Sequence, residues 1–201
     1  KSGTLANALA WHLTEKGVHR RIRPVTRLDK NTSGVTLFAK TAHAQHELSR
    51  KSAVGIFNKT YFGIAQGLWE NNSGTIDLPI RRKSDSIIQR ETHTDGDASI
   101  THFNVIRRLQ LKSFNETNSF VCTLLSFKLE TGRTHQIRVH CSSMGHPLLG
   151  DTLYGGLSHI ALSGQALNCD EVSFLHPARG ERVVIRSLCT SPMFQLIQNA
   201  L

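Results

Sequence analysis

Residues 120–130, FVCTLLSFKLE, narrow the possible folds more than any other stretch of this chain. Val121, Thr123, Leu125, Phe127 and Leu129 alternate with their neighbours, so an extended backbone puts all five on one face. The run stops at Thr131-Gly132. In THQIRVHCSSMG beyond it, Ile137, Cys141 and Met144 fall at i, i+4 and i+7, the spacing of a helix face. A strand, a turn and a helix are therefore expected in immediate succession, with the turn and helix carrying Arg133 and Arg138.

Other elements surround this unit. GTLANALAWHL spaces Leu5, Leu9 and Leu13 four apart and reads as a short amphipathic helix. VTLFAK after Gly34 reads as a strand and AHAQHELSRKS as a polar helix. KTYFGIAQG is rich in aromatic and β-branched residues and ends on Gly67, a strand pattern. WENNSGTIDLPI holds an Asn-Ser-Gly turn signal, ERVVIRS reads as a strand, and SPMFQLIQNAL as a terminal helix capped by Ser191 with Pro192 first. Strands outnumber helices and no linker or repeat divides the 201 residues, so a single mixed α/β domain is expected.

The 24 Lys+Arg against 15 Asp+Glu leave a net charge of +9, which favours an acidic partner, RNA or DNA first. No apolar run of spanning length, polybasic amphipathic helix or signal-peptide pattern offers a membrane as the rival, so a cytoplasmic protein is expected. Cys122, Cys141, Cys169 and Cys189 lie far apart, which points to reduced, mostly buried thiols. His135, His140 and His146 are five and six apart and share no helical face, so polar packing or RNA contact is favoured over metal binding. Signatures of nucleotide hydrolysis, dinucleotide redox chemistry and α/β-hydrolase catalysis are missing.

What remains is a set of cation-rich turns, each with one unusual group. Residues 19–34, HRRIRPVTRLDKNTSG, place Asp29 as a lone carboxylate among Arg20, Arg21, Arg23, Arg27 and Lys30. Tyr61 opens a strand beside Lys59, and ETGRTHQIRVH holds Arg133 and Arg138. Taken singly, Asp29 could cap a turn, Tyr61 could be a core aromatic, and the arginines could form a solvated face.

Taken together, in this order, RLDKNTSG, VTLFAK, KTY and TGRTHQIRVHCSSMGHPLLGDTLYGG resemble the RluA-type RNA pseudouridine synthases, which isomerise uridine in ribosomal and transfer RNA. GTLANAL, GTIDLPI and HPARGE extend the resemblance from about Gly3 to Glu181. It implies one catalytic domain over 1–201, built on a mixed, largely antiparallel sheet with flanking helices and a central basic cleft. The resemblance also implies that Asp29 is the catalytic carboxylate and that Tyr61 packs on the target uracil and helps remove its C5 proton. Arg138 would form a salt bridge to Asp29, Arg27 would hold RNA with the target base extruded, and Arg133 and His135 would contact RNA. Thr26 stands where the family has His before Arg-Leu-Asp, and Asn168-Cys169 where it has His-Ala. The family's K-P-x-G segment before GTLANAL is not present, so an N-terminally incomplete domain is expected.

The implied activity is uridine isomerisation in ribosomal RNA, ahead of transfer RNA, by a monomer without cofactor. The alternative is a non-catalytic RNA-binding protein or RNA chaperone on the same scaffold. It would predict loss of Asp29, Tyr61 or Arg138, and all three are present.

Overall fold

The computed structural model describes residues 3–53, 57–112, 119–188 and 191–199. Its contacts gather into two compact units. One comprises Lys1–Leu28, Thr36–Phe57 and Ser173–Val184; the other comprises Asp29–Val35, Asn58–Val172 and Ile185–Leu201. Cys189 and the last residues of the expected terminal helix lie outside the described residues.

In the first unit, helix α1 (Leu5–Glu15) forms where the leucine spacing predicts it. Thr4 starts it with a reciprocal cap: Asn7 N–H donates to Thr4 Oγ1 (3.2 Å) and Thr4 N–H to Asn7 Oδ1 (3.1 Å). None of its side chains is fully buried, and Leu5 and Trp11 are exposed. Helix α2 (Ala42–Ala53) is likewise the polar helix expected, with Thr41 Oγ1 accepting from Ala44 N–H (3.1 Å).

The strand expected over VTLFAK is largely absent. Regular pairing is confined to β1 (Ser33–Gly34), and Val35 N–H still reaches the Cys169 carbonyl (2.9 Å). Further on, the backbone bonds to residues 23–26 instead: Val25 N–H to Leu37 O and Ala39 N–H to Arg23 O, both 2.8 Å. An extended segment that changes partner midway builds no continuous ladder. Thr26 is buried here and its Oγ1 accepts from Leu37 N–H (2.9 Å), so it supports the backbone.

The second unit carries most of the sheet. The further strands are β2 (Asn58–Gln66), β3 (Ser73–Asp77), β4 (Ile80–Arg82), β5 (Arg90–Thr92), β6 (Ile100–Lys112), β7 (Ser119–Leu129), β8 (Leu167–Leu175) and β9 (Arg182–Arg186), of which β8 from Ser173 and β9 up to Val184 fall in the first unit. They run in the order β1-β8-β2-β7-β6-β3, with β9 on β8 and β4-β5 a separate hairpin. β1 and β8 are parallel, whereas β2/β7, β6/β7 and β3/β6 are antiparallel. This is the mixed, largely antiparallel α+β architecture that was expected. Ser73 and Gly74 belong to β3, so the expected turn is shifted to the preceding asparagines.

β7 is the strand foreseen; β2 and β6 pair with its two edges, and side chains on both its faces are buried. Leu125 and Phe127 are fully buried on one face. Cys122 and Leu124 are buried on the other, in a cluster with Ile64, Leu149, Ala166 and two side chains of helix α4 (Pro192–Asn199), Met193 and Leu196. Val121, expected in the apolar row, is 45% exposed. Pro192 does open α4, but the Ser191 hydroxyl finds no partner, and only its carbonyl caps, accepting from Phe194 N–H (2.9 Å).

Helix α3 (Gln136–Ser143) follows the turn after β7, and Gln136 through Cys141 are all buried. Met144 ends it and is exposed. Such a short buried helix needs its polar groups satisfied. Gln136 Oε1 accepts from Arg133 N–H and the Thr131 hydroxyl (2.9 Å each), while Nε2 donates to Ile100 O (2.9 Å) and Thr101 Oγ1 (3.0 Å).

His140 is packed the same way. Nε2 donates to Leu78 O (2.9 Å), so Nδ1 is left to accept from the Thr101 hydroxyl (2.9 Å). Burial holds its pKa below the ordinary 6.5 despite the bond to Leu78. The unfolded chain therefore binds more protons than the folded one once pH falls through that value. Stability is expected to be complete above the unfolded value and to fall as pH drops below about 6.5. His140→Gln should flatten the dependence. Denaturant titrations from pH 7.5 to 5 check this, and identical slopes in the two proteins would refute it.

Candidate active site

The turn carrying Asp29 is held from several sides. Thr32 N–H closes it onto Asp29 O (3.0 Å), and Asn31 takes a left-handed φ of +68°. Gln165 Nε2 donates to Lys30 O (2.7 Å) and Thr32 Oγ1 (2.8 Å), and Asn31 Nδ2 donates to Ser163 O (3.1 Å). Gly34 follows at φ +107°, where a Cβ would stand 2.1 Å from the Cys169 carbonyl; only glycine lets β1 approach β8 so closely. The Asn31–Gly34 run thus fixes Asp29, whose side chain is left 27% exposed.

α3 brings Arg138 to the same place. Its Nη1 lies 3.8 Å from Asp29 Oδ2, within ion-pair range and too far for a hydrogen bond. The stronger partner is one that sequence reasoning did not single out. Arg138 Nε and Nη2 donate to the two oxygens of Asp151, at 2.7 Å each, and Asp151 is only 1% exposed. Burial opposes the guanidinium charge, but these bonds outweigh it and raise the Arg138 pKa. The sequence signal was a single carboxylate in PLLGDTLYGG, set among leucines and glycines, where an acid is buried only if paired.

Tyr154, in the 3-10 turn Thr152–Tyr154, completes the shell. Its ring lies under the guanidinium, 5.0 Å from Cζ, in cation–π range. Its hydroxyl accepts from Arg90 N–H (2.9 Å) and meets His135 Nδ1 at 2.8 Å. His135 precedes α3 in a left-handed conformation, φ +59°. Burial lowers its pKa, with the Asp29 charge opposing, which favours the neutral imidazole; the direction of its bond to the Tyr154 hydroxyl follows the tautomer.

Tyr61, on β2, is buried beside Phe127 in the register. Burial, then the hydrogen-bonded Cys169 thiol and the charge of Asp29, push its hydroxyl far above the ordinary range. Burial likewise raises Cys169 to about 11 and lowers Lys59. Cys122, Cys141 and Cys169 are all buried free thiols, as foreseen for the group.

Asp29, Tyr61, Arg138 and His135 therefore fall in one unit, with the Asp29 charge acting on each of the other three. Arg133 turns elsewhere, donating to Ala98 O (3.2 Å) and pairing with Asp97 (3.9 Å). Arg27 is exposed and belongs to the first unit. A cavity of about 340 Å³ beside Arg138 is lined by Lys30, Asn31, His135, Asp151 and His159 among others. Among the described residues no group of three or more His, Cys, Asp or Glu could hold a metal ion, and no helix is long and apolar enough to cross a membrane.

The chain has relatives of known fold and sequence. The fold matches the human RNA pseudouridylate synthase domain containing 1 structure with a TM-score of 0.74, at 24% identity over 92% of this chain and 73% of that one. An uncharacterized RNA pseudouridine synthase of Bacillus subtilis, YjbO, is 40% identical over 98% of this chain and 66% of its own length. The ribosomal large subunit pseudouridine synthase D of Buchnera aphidicola is 36% identical over 88% of this chain and 57% of its own. The chain thus spans less than two thirds of either relative. The family model for RNA pseudouridylate synthase matches residues 5–143, which include the Asp29 turn, the Tyr61 strand and the Arg138 helix. By that match and these likenesses, the chain belongs to the RNA pseudouridylate synthase family.

Proposed function

We propose that this chain converts uridine to pseudouridine in RNA, with Asp29 as the reacting carboxylate. One observation carries the reading: a fixed, partly exposed carboxylate stands 3.8 Å from a buried guanidinium and acts on a buried tyrosine, in a chain of this family. The reaction breaks the C1′–N1 bond, turns the uracil and rejoins it through C5. No electrons are gained or lost, so no redox cofactor is called for. A carboxylate serves as nucleophile at C1′ or as base at C2′, and in both routes it must be ionised.

Tyr61 offers its ring as a flat apolar face for the extruded base. Its raised pKa keeps the hydroxyl protonated, which suits packing and hydrogen bonding better than removal of the C5 proton. Extrusion costs a few kcal/mol, which phosphate contacts offset. Arg27, Arg133 and His135 are assigned to RNA contact. The first unit adds a groove of about 580 Å³ whose lining includes Lys16, Arg20, Arg21, Arg23 and Lys40 and no carboxylate.

Ribosomal RNA is the leading substrate, supported by the name of the Buchnera relative, with transfer RNA second. A monomer acting in the cytoplasm, with 1–201 forming the catalytic part, completes the reading. Pseudouridine mapping of total RNA with and without the gene tests it, followed by incubation of the purified protein with each affected RNA. Loss of defined pseudouridines, restored in vitro, is the expected result. RNA binding with no change in any pseudouridine would favour the non-catalytic binder or chaperone.

Binding itself should be strongly salt dependent. With about six phosphate contacts, affinity falls about 10³-fold between 50 and 200 mM salt. Filter binding or fluorescence anisotropy measures this, and a flat salt response would remove the electrostatic account.

A further inference from the structure

We infer that Asp151 is a positioning residue that holds the Arg138 guanidinium back from Asp29, keeping the Asp29 carboxylate free of a direct hydrogen bond. The inference rests on Asp29 being the reacting group. Asp151 takes Nε and Nη2 at 2.7 Å each, the full edge of the guanidinium fork. Only Nη1 is left toward Asp29, and it stops at 3.8 Å. Tyr154 lies against the guanidinium and is itself tied to Arg90 N–H and His135, so sliding toward Asp29 would break the cation–π contact.

The division matters because Arg138 has two carboxylates to choose from. A guanidinium bonded directly to Asp29 would stabilise its charge but occupy the lone pairs needed for attack or proton removal. Asp151 removes that competition while leaving a positive charge close by. The Asp29 charge acts on Arg138 and His135 at α3 and on Tyr61 on β2; Asp151, Tyr154 and Arg90 act on the same Arg138 or His135, and Lys30 and His159 line the cavity beside them. Of these, Asp151 is the one other carboxylate, and its loss turns Arg138 wholly toward Asp29.

Asp151→Asn keeps the shape, abolishes the charge and places an amide donor against Arg138. The turnover number should fall at least about tenfold with RNA affinity unchanged, since Asp151 is buried. The acid limb of the rate profile, and the Asp29 carboxyl titration followed by ¹³C NMR without substrate, should both move down by about one pH unit or more. Asp151→Glu retains the charge and should leave both near the wild-type position. Loss of folded protein would lower the rate without moving either titration.

An unmoved Asp29 titration in Asp151→Asn, or an equal downward move in Asp151→Glu, overturns the inference. Should Asp151→Asn not fold, ¹⁵N NMR of wild-type Arg138 decides. Protected Nε and Nη2 protons with freely exchanging Nη1 protons are expected, and protected Nη1 protons would overturn it. Failure of the underlying reading shows separately, as wild-type turnover in Asp29→Asn.

Discussion

Asp29→Asn is expected to lower pseudouridine formation by at least about 10³-fold while RNA binding persists. The amide has the size of the carboxylate, so the turn closed by Thr32, Asn31 and Gln165 should keep its shape. What disappears is the anionic oxygen, and an amide is neither a nucleophile at C1′ nor a base at C2′. Phosphate affinity comes from the +9 excess of cations, and one lost negative charge does not weaken it. Single-turnover conversion of a mapped RNA, beside its dissociation constant, measures both. Wild-type conversion by Asp29→Asn would show that the carboxylate is not the reacting group.

Arg138→Met should produce the largest loss of stability. The side chain is 7% exposed and its Asp151 partner 1%, so removing the guanidinium leaves a buried carboxylate with both charge-assisted bonds broken. Breaking such a pair from one side costs about 3–5 kcal/mol, which for a domain of this size lowers the midpoint by about 10 °C. Adding Asp151→Asn should recover part of the loss, because the uncompensated charge goes with it. Denaturant unfolding of wild type, single and double variants measures the effect. A single variant within about 1 kcal/mol of wild type would mean that the pair is solvated in solution.

The elements that sequence foretold are those whose pattern is local. α1, α2, β2, β7 and α3 follow from side-chain spacing, capping residues and terminating glycines. β6, the longest strand, did not stand out, and its bulge gives the reason. Register slips between Val105 and Arg107, so Phe103 and Val105 lie across from Phe127 and Leu125, whereas Leu109 lies across from Cys122 on the opposite face. Alternation read straight through ITHFNVIRRLQLK mixes two faces and is interrupted by Ile106 and paired arginines. VTLFAK erred the other way, because an extended, apolar segment looks like a strand even when its backbone partners change halfway.

Sequence alone determined the family, the mixed sheet and the identity of Asp29, Tyr61 and Arg138 as candidates, because motif order and residue chemistry are written along the chain. Only the tertiary structure decided how Arg138 divides itself. Its sequence motif names a cation near a carboxylate, but the Asp29 turn and the chain after α3 place two carboxylates within reach. The distances, 2.7 Å to Asp151 and 3.8 Å to Asp29, assign the hydrogen bonds to the first and leave the second free. Charge pairing depends on separation in space, and separation along the chain does not record it.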